Sequence, residues 1–369
     1  MRFKTTKDNL LAGITTVQRA VAARSPMPVL QGILVEASEE GITFTGTDLE
    51  LSVSCILPAT EIIPGAVVLP ARYFAEIVRR LPDGTVSFVA ELSSYSVSLR
   101  YGRAEAMLNG YSAEEFPKLP EVAPKVAFAV QGDLLRDVVR QVVYAVGQDE
   151  LRPIFTGVLL EIEEQEIRAV ATDTHRLALR RADLPGSEAK LTNIIIPGKA
   201  LGELARLLGG FEGENVQVAV AESYASFSLS HARVLTRLIE GQFPDYRQVV
   251  PKGYKTRILD INPAELTRTV ERAATLARDD APVVVLAVKH GTLTVSARSQ
   301  VGSVLEEVAA ELEGEDIQVA FNANYLIDAL RAAGNDTVSL EFNGPIGPSV
   351  IRPVPDGSYF ALVLPVRMV

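Results

Sequence analysis

Apolar residues recur three and four apart in TTKDNLLAGITTVQRAVAAR (Thr5 to Arg24), QGDLLRDVVRQVVYAVGQDE (Gln131 to Glu150) and NPAELTRTVERAATLARDD (Asn262 to Asp280). That spacing predicts three amphipathic helices. Asp8, Asp133 and Glu265 fall in their first turns, where the helix dipole favours negative charge. Asn262-Pro263 reads as a capping residue followed by proline at the first helical position. A second set comprises LPARYFAEIVRRLPDGTVSF (Leu69 to Phe88), IPGKALGELARLLGGFEGENVQV (Ile196 to Val218) and FNANYLIDALRAAGNDTVSLEF (Phe321 to Phe342). Each begins at Pro or Asn, runs as a helix, breaks at Gly and resumes as an alternating strand. A third set, GITFTGTDLELSVSC (Gly41 to Cys55), EIRAVATDTHRLALRR (Glu166 to Arg181) and GTLTVSARSQVGSVLEEV (Gly291 to Val308), reads as strand pairs joined by a short polar corner.

Copies of each element stand about 125 residues apart, far beyond the roughly 20–50 residues of a solenoid repeat, so the pattern predicts a triplicated domain. Proline-rich joints fall at EEFPKLPEVAP (Glu114 to Pro124) and VVPKGYK (Val249 to Lys255). The expected domains are 1–122, 123–253 and 254–369, each an α+β layer of two helices and several strands.

The chain of 369 residues is 47% hydrophobic and carries a formal net charge of −10. That balance opposes tight static binding to nucleic acid. The internal copies nevertheless align basic positions. Arg72 and Arg79, Lys199 and Arg206, and Asn324 and Arg331 share one spacing close to two helical turns. Arg136 and Arg140, like Arg268 and Arg272, are four apart; the first copy has Ala12 and Thr16 there, with Arg19 and Arg24 further on. Helices repeated in this way around an arc would offer a basic inner face that tracks phosphates weakly enough to slide.

Cys55 is the single cysteine, which excludes an intrachain disulfide or a thiolate metal cluster, and it reads as a core residue. The opening MRFKTTKDNLL lacks the apolar stretch of a secretory signal. No run approaches the roughly 18 apolar residues of a membrane span. A cytoplasmic, reducing location is the expectation.

In VATDTHRLALRR (Val170 to Arg181), Asp173 and His175 would be a hydrolase's first candidates. The motifs that supply a nucleophile, an oxyanion site, a metal or a nucleotide phosphate site are missing, so no enzyme, metal or cofactor is expected. His231 and His290 flank strands. The stretch reads better as a recognition pocket, with Thr172 and Leu177 in an apolar floor and His175 and Arg176 as polar rim. The ending SYFALVLPVRMV (Ser358 to Val369) is apolar to its last residue. It is expected either docked in the core or, once Pro365 stops the strand, lining a groove with Val366 to Val369.

Seven stretches in order, TGTDLE (Thr45 to Glu50), LPARYF (Leu69 to Phe74), FPKL (Phe116 to Leu119), VATDTHRLA (Val170 to Ala178), FPDYRQVVPK (Phe243 to Lys252), FNANYLIDAL (Phe321 to Leu330) and LVLPVR (Leu362 to Arg367), make the chain resemble the bacterial β sliding clamps, the processivity subunits of replicative DNA polymerases. The resemblance implies the DNA clamp fold: a head-to-tail homodimeric ring with helices lining the inside, sheets outside, and double-stranded DNA through the hole. It implies a pocket for short peptides of the replicative polymerase catalytic subunit, the clamp loader, translesion polymerases and repair proteins. By position that pocket would comprise Phe155, Thr172, Thr174, His175, Arg176, Leu177, Pro244, Val249, Leu362, Val363, Leu364, Pro365, Val366 and Arg367. DNA contacts would fall to Arg24, Arg72, Gln148, Arg152, Lys199, Asn322 and Tyr325. The dimer joint would set Arg103 and Leu108 of one chain near Leu276, Glu306 and Glu307 of the other. The chain departs from the family pattern at Gln248, where a basic residue is common, at Phe155, where leucine is, and at Thr174, where glycine is; LPVRM replaces a methionine-richer ending. A narrower, less adaptable pocket is expected, because branched side chains repack less readily than methionine. Two rival readings are a protein-binding scaffold that does not encircle DNA and a hydrolase using Asp173 and His175.

Overall fold

The computed structural model describes the chain except residues 122, 186–188, 212, 278–281, 290–291, 335–336, 356 and 368–369. His290, Met368, Val369 and Asp280 therefore lie outside the described residues. Among the described residues the helices are α1 (Lys7–Val17), α2 (Ala71–Arg80), α3 (Gly132–Val142), α4 (Gly198–Leu208), α5 (Pro263–Thr275) and α6 (Ala323–Ala332). Each repeat thus has its expected pair. The side chain of Asn262 caps α5 by accepting from the Ala264 and Glu265 amides, with Pro263 in the first turn.

Three helices stop earlier than the apolar spacing predicts, α5 among them, at Thr275. The first ends at Val17 after Thr15, Thr16 and Val17, and α3 ends at Val142 after Val138, Val139 and Val142. These β-branched clusters weaken the helix, and backbone partners beyond it draw the chain away. The Ala22 amide donates to Leu30 O, and the Gly147 amide to Phe155 O at 2.7 Å.

The chain forms two compact units, Met1–Asp133 with Arg206–Leu238 and Leu134–Ala205 with Ile239–Val369. Strand pairing explains the division. In the first unit an eight-stranded sheet continues from the second repeat into the first where strand Ala232–Arg237 pairs antiparallel with Leu51–Leu57. In the second unit a nine-stranded sheet continues from the second repeat into the third where Arg176–Asp183 pairs with Tyr359–Val363, placing Leu177 opposite Leu362. Each half of the middle repeat is therefore built into a neighbour.

The first unit also holds a five-stranded sheet ending in the edge strand Ala104–Asn109, the second a four-stranded sheet ending in the edge strand Gly302–Ala309. The largely aliphatic core of the first unit includes Phe3 stacked on Phe88 at 4.5 Å between ring centroids.

Candidate functional site

The corner between strands Glu166–Thr172 and Arg176–Asp183 is a closed hydrogen-bonded turn. Thr172 Oγ1 donates to Arg176 O at 2.7 Å and accepts from the Thr174 amide. Asp173 Oδ1 accepts from the His175 and Arg176 amides, each at 2.9 Å. The first repeat uses the same scheme. Thr47 Oγ1 donates to Leu51 O and accepts from the Leu49 amide, while Asp48 Oδ1 accepts from the Glu50 and Leu51 amides. Thr174 and Leu49 carry matching positive φ values of 79° and 81°. The Thr-Asp pair shared by the two copies therefore builds a turn.

This geometry weighs against a hydrolytic dyad. Asp173 Oδ2 accepts from Arg176 Nε at 3.0 Å, so both carboxylate oxygens serve the turn and its arginine. The His175 imidazole instead stacks beside Tyr325, 6.3 Å between centroids. Arg176 also donates to Asp328 Oδ2 at 2.7 Å, and its guanidinium lies 4.5 Å from the Tyr325 ring centroid. Tyr359, wholly buried beneath this cluster, shares a hydrogen bond with Tyr144. Burial pushes its phenol well above the usual tyrosine range.

Beside the corner lies a cavity of about 420 Å³, a size suited to a small ligand or short peptide. Its floor is the apolar cluster that includes Leu177, Phe243, Tyr246 and Leu362. Of the residues expected there, Phe155, Thr172, Thr174, Arg176, Leu177, Pro244, Val249, Leu362 and Leu364 line it. His175, Val363, Pro365, Val366 and Arg367 do not. Side chains alternate along a strand, so Leu362 and Leu364 face the cavity while Val363 is buried on the other side. The tail beyond is tied down, with the Leu364 amide donating to His175 O and the Val366 amide to Ala320 O.

Asp245, Tyr246 and Pro348 also line the cavity and were missed by sequence reasoning. The first two stand inside FPDYRQVVPK, so the motif pointed at them; nothing in the sequence marked Pro348.

A second cavity, of about 340 Å³, gathers three of the residues expected at DNA, Gln148, Arg152 and Tyr325. Phe155 and Arg176 are common to both cavities. Arg24 and Arg72 in the first unit and Lys199 in the second are exposed. Arg72 is within 3.6 Å of Glu76, so its charge is partly offset in the chain. Asn322 Oδ1 caps α6 by accepting from the Asn324 amide. Of the residues expected at a dimer joint, Arg103 and Leu108 belong to the turn and edge strand Ala104–Asn109, while Glu306 and Glu307 sit on the edge strand Gly302–Ala309. Leu276 follows α5 directly. Glu306 is bound within its own chain by Arg272, whose guanidinium holds that carboxyl below its usual range.

Three family models match in sequence order. The DNA polymerase III beta subunit N-terminal domain covers residues 1–120, its central domain 129–245 and its C-terminal domain 247–367. The chain belongs to the DNA polymerase III beta subunit family. It is 37% identical to the beta sliding clamp of Bacillus subtilis, with all of both chains covered. The crystal structure of the DNA polymerase sliding clamp from Bacillus subtilis is similar over the whole of both chains, with a TM-score of 0.93 and 36% identity. A sliding clamp from Pseudomonas aeruginosa bound to griselimycin matches over the same extent, with a TM-score of 0.92 and 26% identity. The fold is the three-domain DNA clamp fold of this family, mixed helix and sheet.

Proposed function

We propose that the chain is the processivity factor of a replicative DNA polymerase, working as a head-to-tail homodimeric ring that encircles duplex DNA and tethers its partners through the apolar cavity. Full-length similarity to beta sliding clamps carries the reading. The domains run 1–122, 123–253 and 254–369. Edge strand Ala104–Asn109 of one chain pairs with Gly302–Ala309 of the other, covering the exposed Met107 and Leu305 and removing two open sheet edges. Arg24, Arg72 and Lys199 face DNA by charge alone, so the ring holds topologically and slides. The protein acts in the cytoplasm and performs no catalysis of its own; ring opening falls to a separate ATP-driven loader.

The cavity takes an extended peptide of the replicative polymerase, the loader, translesion polymerases or repair proteins. Apolar side chains enter between Leu177, Leu362 and Leu364, and Arg176 supplies the polar contact. The peptide must be ordered on binding, which sets affinity at roughly micromolar order. Griselimycin, bound to the Pseudomonas aeruginosa clamp, is a ready probe of this site.

The deciding experiment loads the protein onto a nicked circular plasmid with a competent loader and then linearises the circle. Release only after cutting is expected. Failure to be retained, with another clamp retained in parallel, would leave the scaffold reading in its place.

A further inference from the structure

We propose that Glu161 is a positioning residue for the peptide cavity, holding in place the linker of residues 239–255, which forms one of its walls, without touching the peptide. The proposal rests on the cavity's role given above. Glu161 lies on strand Gly157–Glu164, two residues from Leu159 and so on the same face, and that face meets the apolar cluster. It is only 6% exposed. A buried carboxylate is costly unless its oxygens are met by donors. Here Tyr246 Oη donates to Oε2 at 2.7 Å, and Arg247 Nη2 donates to both oxygens, at 2.8 and 2.9 Å. Arg168, opposite on the neighbouring strand, stands further off at 3.8 Å. The close partners therefore come from the linker rather than the sheet.

The linker needs such a latch. Its only regular structure is the single 3₁₀ turn Tyr246–Gln248, too short to hold its own shape. One side of Pro244, Asp245 and Tyr246 faces the peptide cavity. Their other side borders a further cavity of about 420 Å³, which Glu161, Asn193 and Arg247 also line. Phe243 and Tyr246 pack into the same apolar cluster as Leu177 and Leu362, which anchors the wall at one point. The bonds from Tyr246 and Arg247 to Glu161 add direction to that packing, fixing how the turn sits between the two open volumes. Burial, aided by the bond to Glu161, raises the Tyr246 phenol to about 12, so it remains a donor at any working pH.

The test compares wild type, Glu161→Gln, Tyr246→Phe and the double variant in the full-length protein. Tyr246→Phe keeps the ring and removes a single oxygen, so it spares the fold. Calorimetric titration with griselimycin reads affinity, and amide hydrogen exchange at residues 245–249 reads the wall. Each single variant is expected to lower affinity about ten-fold, the size of one charge-assisted hydrogen bond. The double variant should fall little further, because both changes break one latch. Linker exchange should quicken about ten-fold while strand Glu166–Thr172 stays protected. Unchanged linker exchange in both variants overturns the proposal. Exchange that quickens across the whole sheet, with additive affinity losses, overturns it too, by showing a general packing role. If wild type does not bind griselimycin, the cavity reading falls and takes the affinity half of the proposal with it; linker exchange still decides whether Glu161 positions the wall.

Discussion

The guanidinium of Arg176 lies 4.5 Å from the ring centroid of Tyr325 while donating to Asp328 on the same helix. A residue of the corner is thereby clamped to α6, and the cation borders both cavities. Its side chain is 12% exposed, so removal leaves Asp173 and Asp328 without their cation. Arg176→Ala should cost about 3 kcal/mol of stability, read by denaturant unfolding, and should abolish measurable griselimycin binding. Arg176→Lys should rescue little, because an ammonium cannot stack and fork as a guanidinium does.

Leu364 offers a cleaner dissection of binding. At 37% exposure it contributes more to the cavity than to the core. Leu364→Ala should weaken griselimycin by about 1–2 kcal/mol and leave the unfolding midpoint nearly unchanged. Leu362→Ala, at a position 4% exposed, should cost about 2–5 kcal/mol of stability.

Thr174 holds a left-handed backbone, with φ at 79°, that a β-branched residue adopts at a cost. Thr174→Gly should raise stability by up to about 1 kcal/mol, the released strain exceeding the entropy that glycine adds to the unfolded chain. Differential scanning calorimetry would read this as a higher midpoint.

Cys55 is buried, and burial pushes its thiol up from 9.0 to about 12. Iodoacetamide should therefore modify it only as the protein unfolds. The unfolded thiol ionises near pH 9 while the native one does not, so this group's contribution is constant below pH 9 and declines as pH rises towards 12. Denaturant midpoints measured across that range would show the decline, and Cys55→Ala should flatten it.

Charge reversal at Arg72 and Lys199 should shorten retention on a closed plasmid at low salt and have little effect at high salt, where such contacts are already screened. Circular dichroism should remain unchanged, because both side chains are exposed.

Much of the site was legible because it is local. The Thr-Asp corner announces itself in VATDTHRLALRR, and the copy in TGTDLELSV makes the same turn. The wall behind it was not legible. Glu161 and Tyr246 are 85 residues apart, and no periodicity marks a carboxylate that will meet a distant phenol. The helices were read correctly as elements and too long in extent, since backbone partners such as Leu30 and Phe155 decide where they stop. The basic faces were read as charge without their counter-ions; Glu76, Glu271 and Glu306 claim Arg72, Arg331 and Arg272.

The triplication visible in the sequence is a unit of descent rather than of autonomy. A fragment of residues 123–253 would carry two raw strand margins, Ala232–Arg237 and Arg176–Asp183, each missing the neighbour that completes its hydrogen bonding. Such a piece would pair with whatever strand it met. The middle repeat is a hinge of construction, halved between its neighbours, and it becomes whole only when both of them are present.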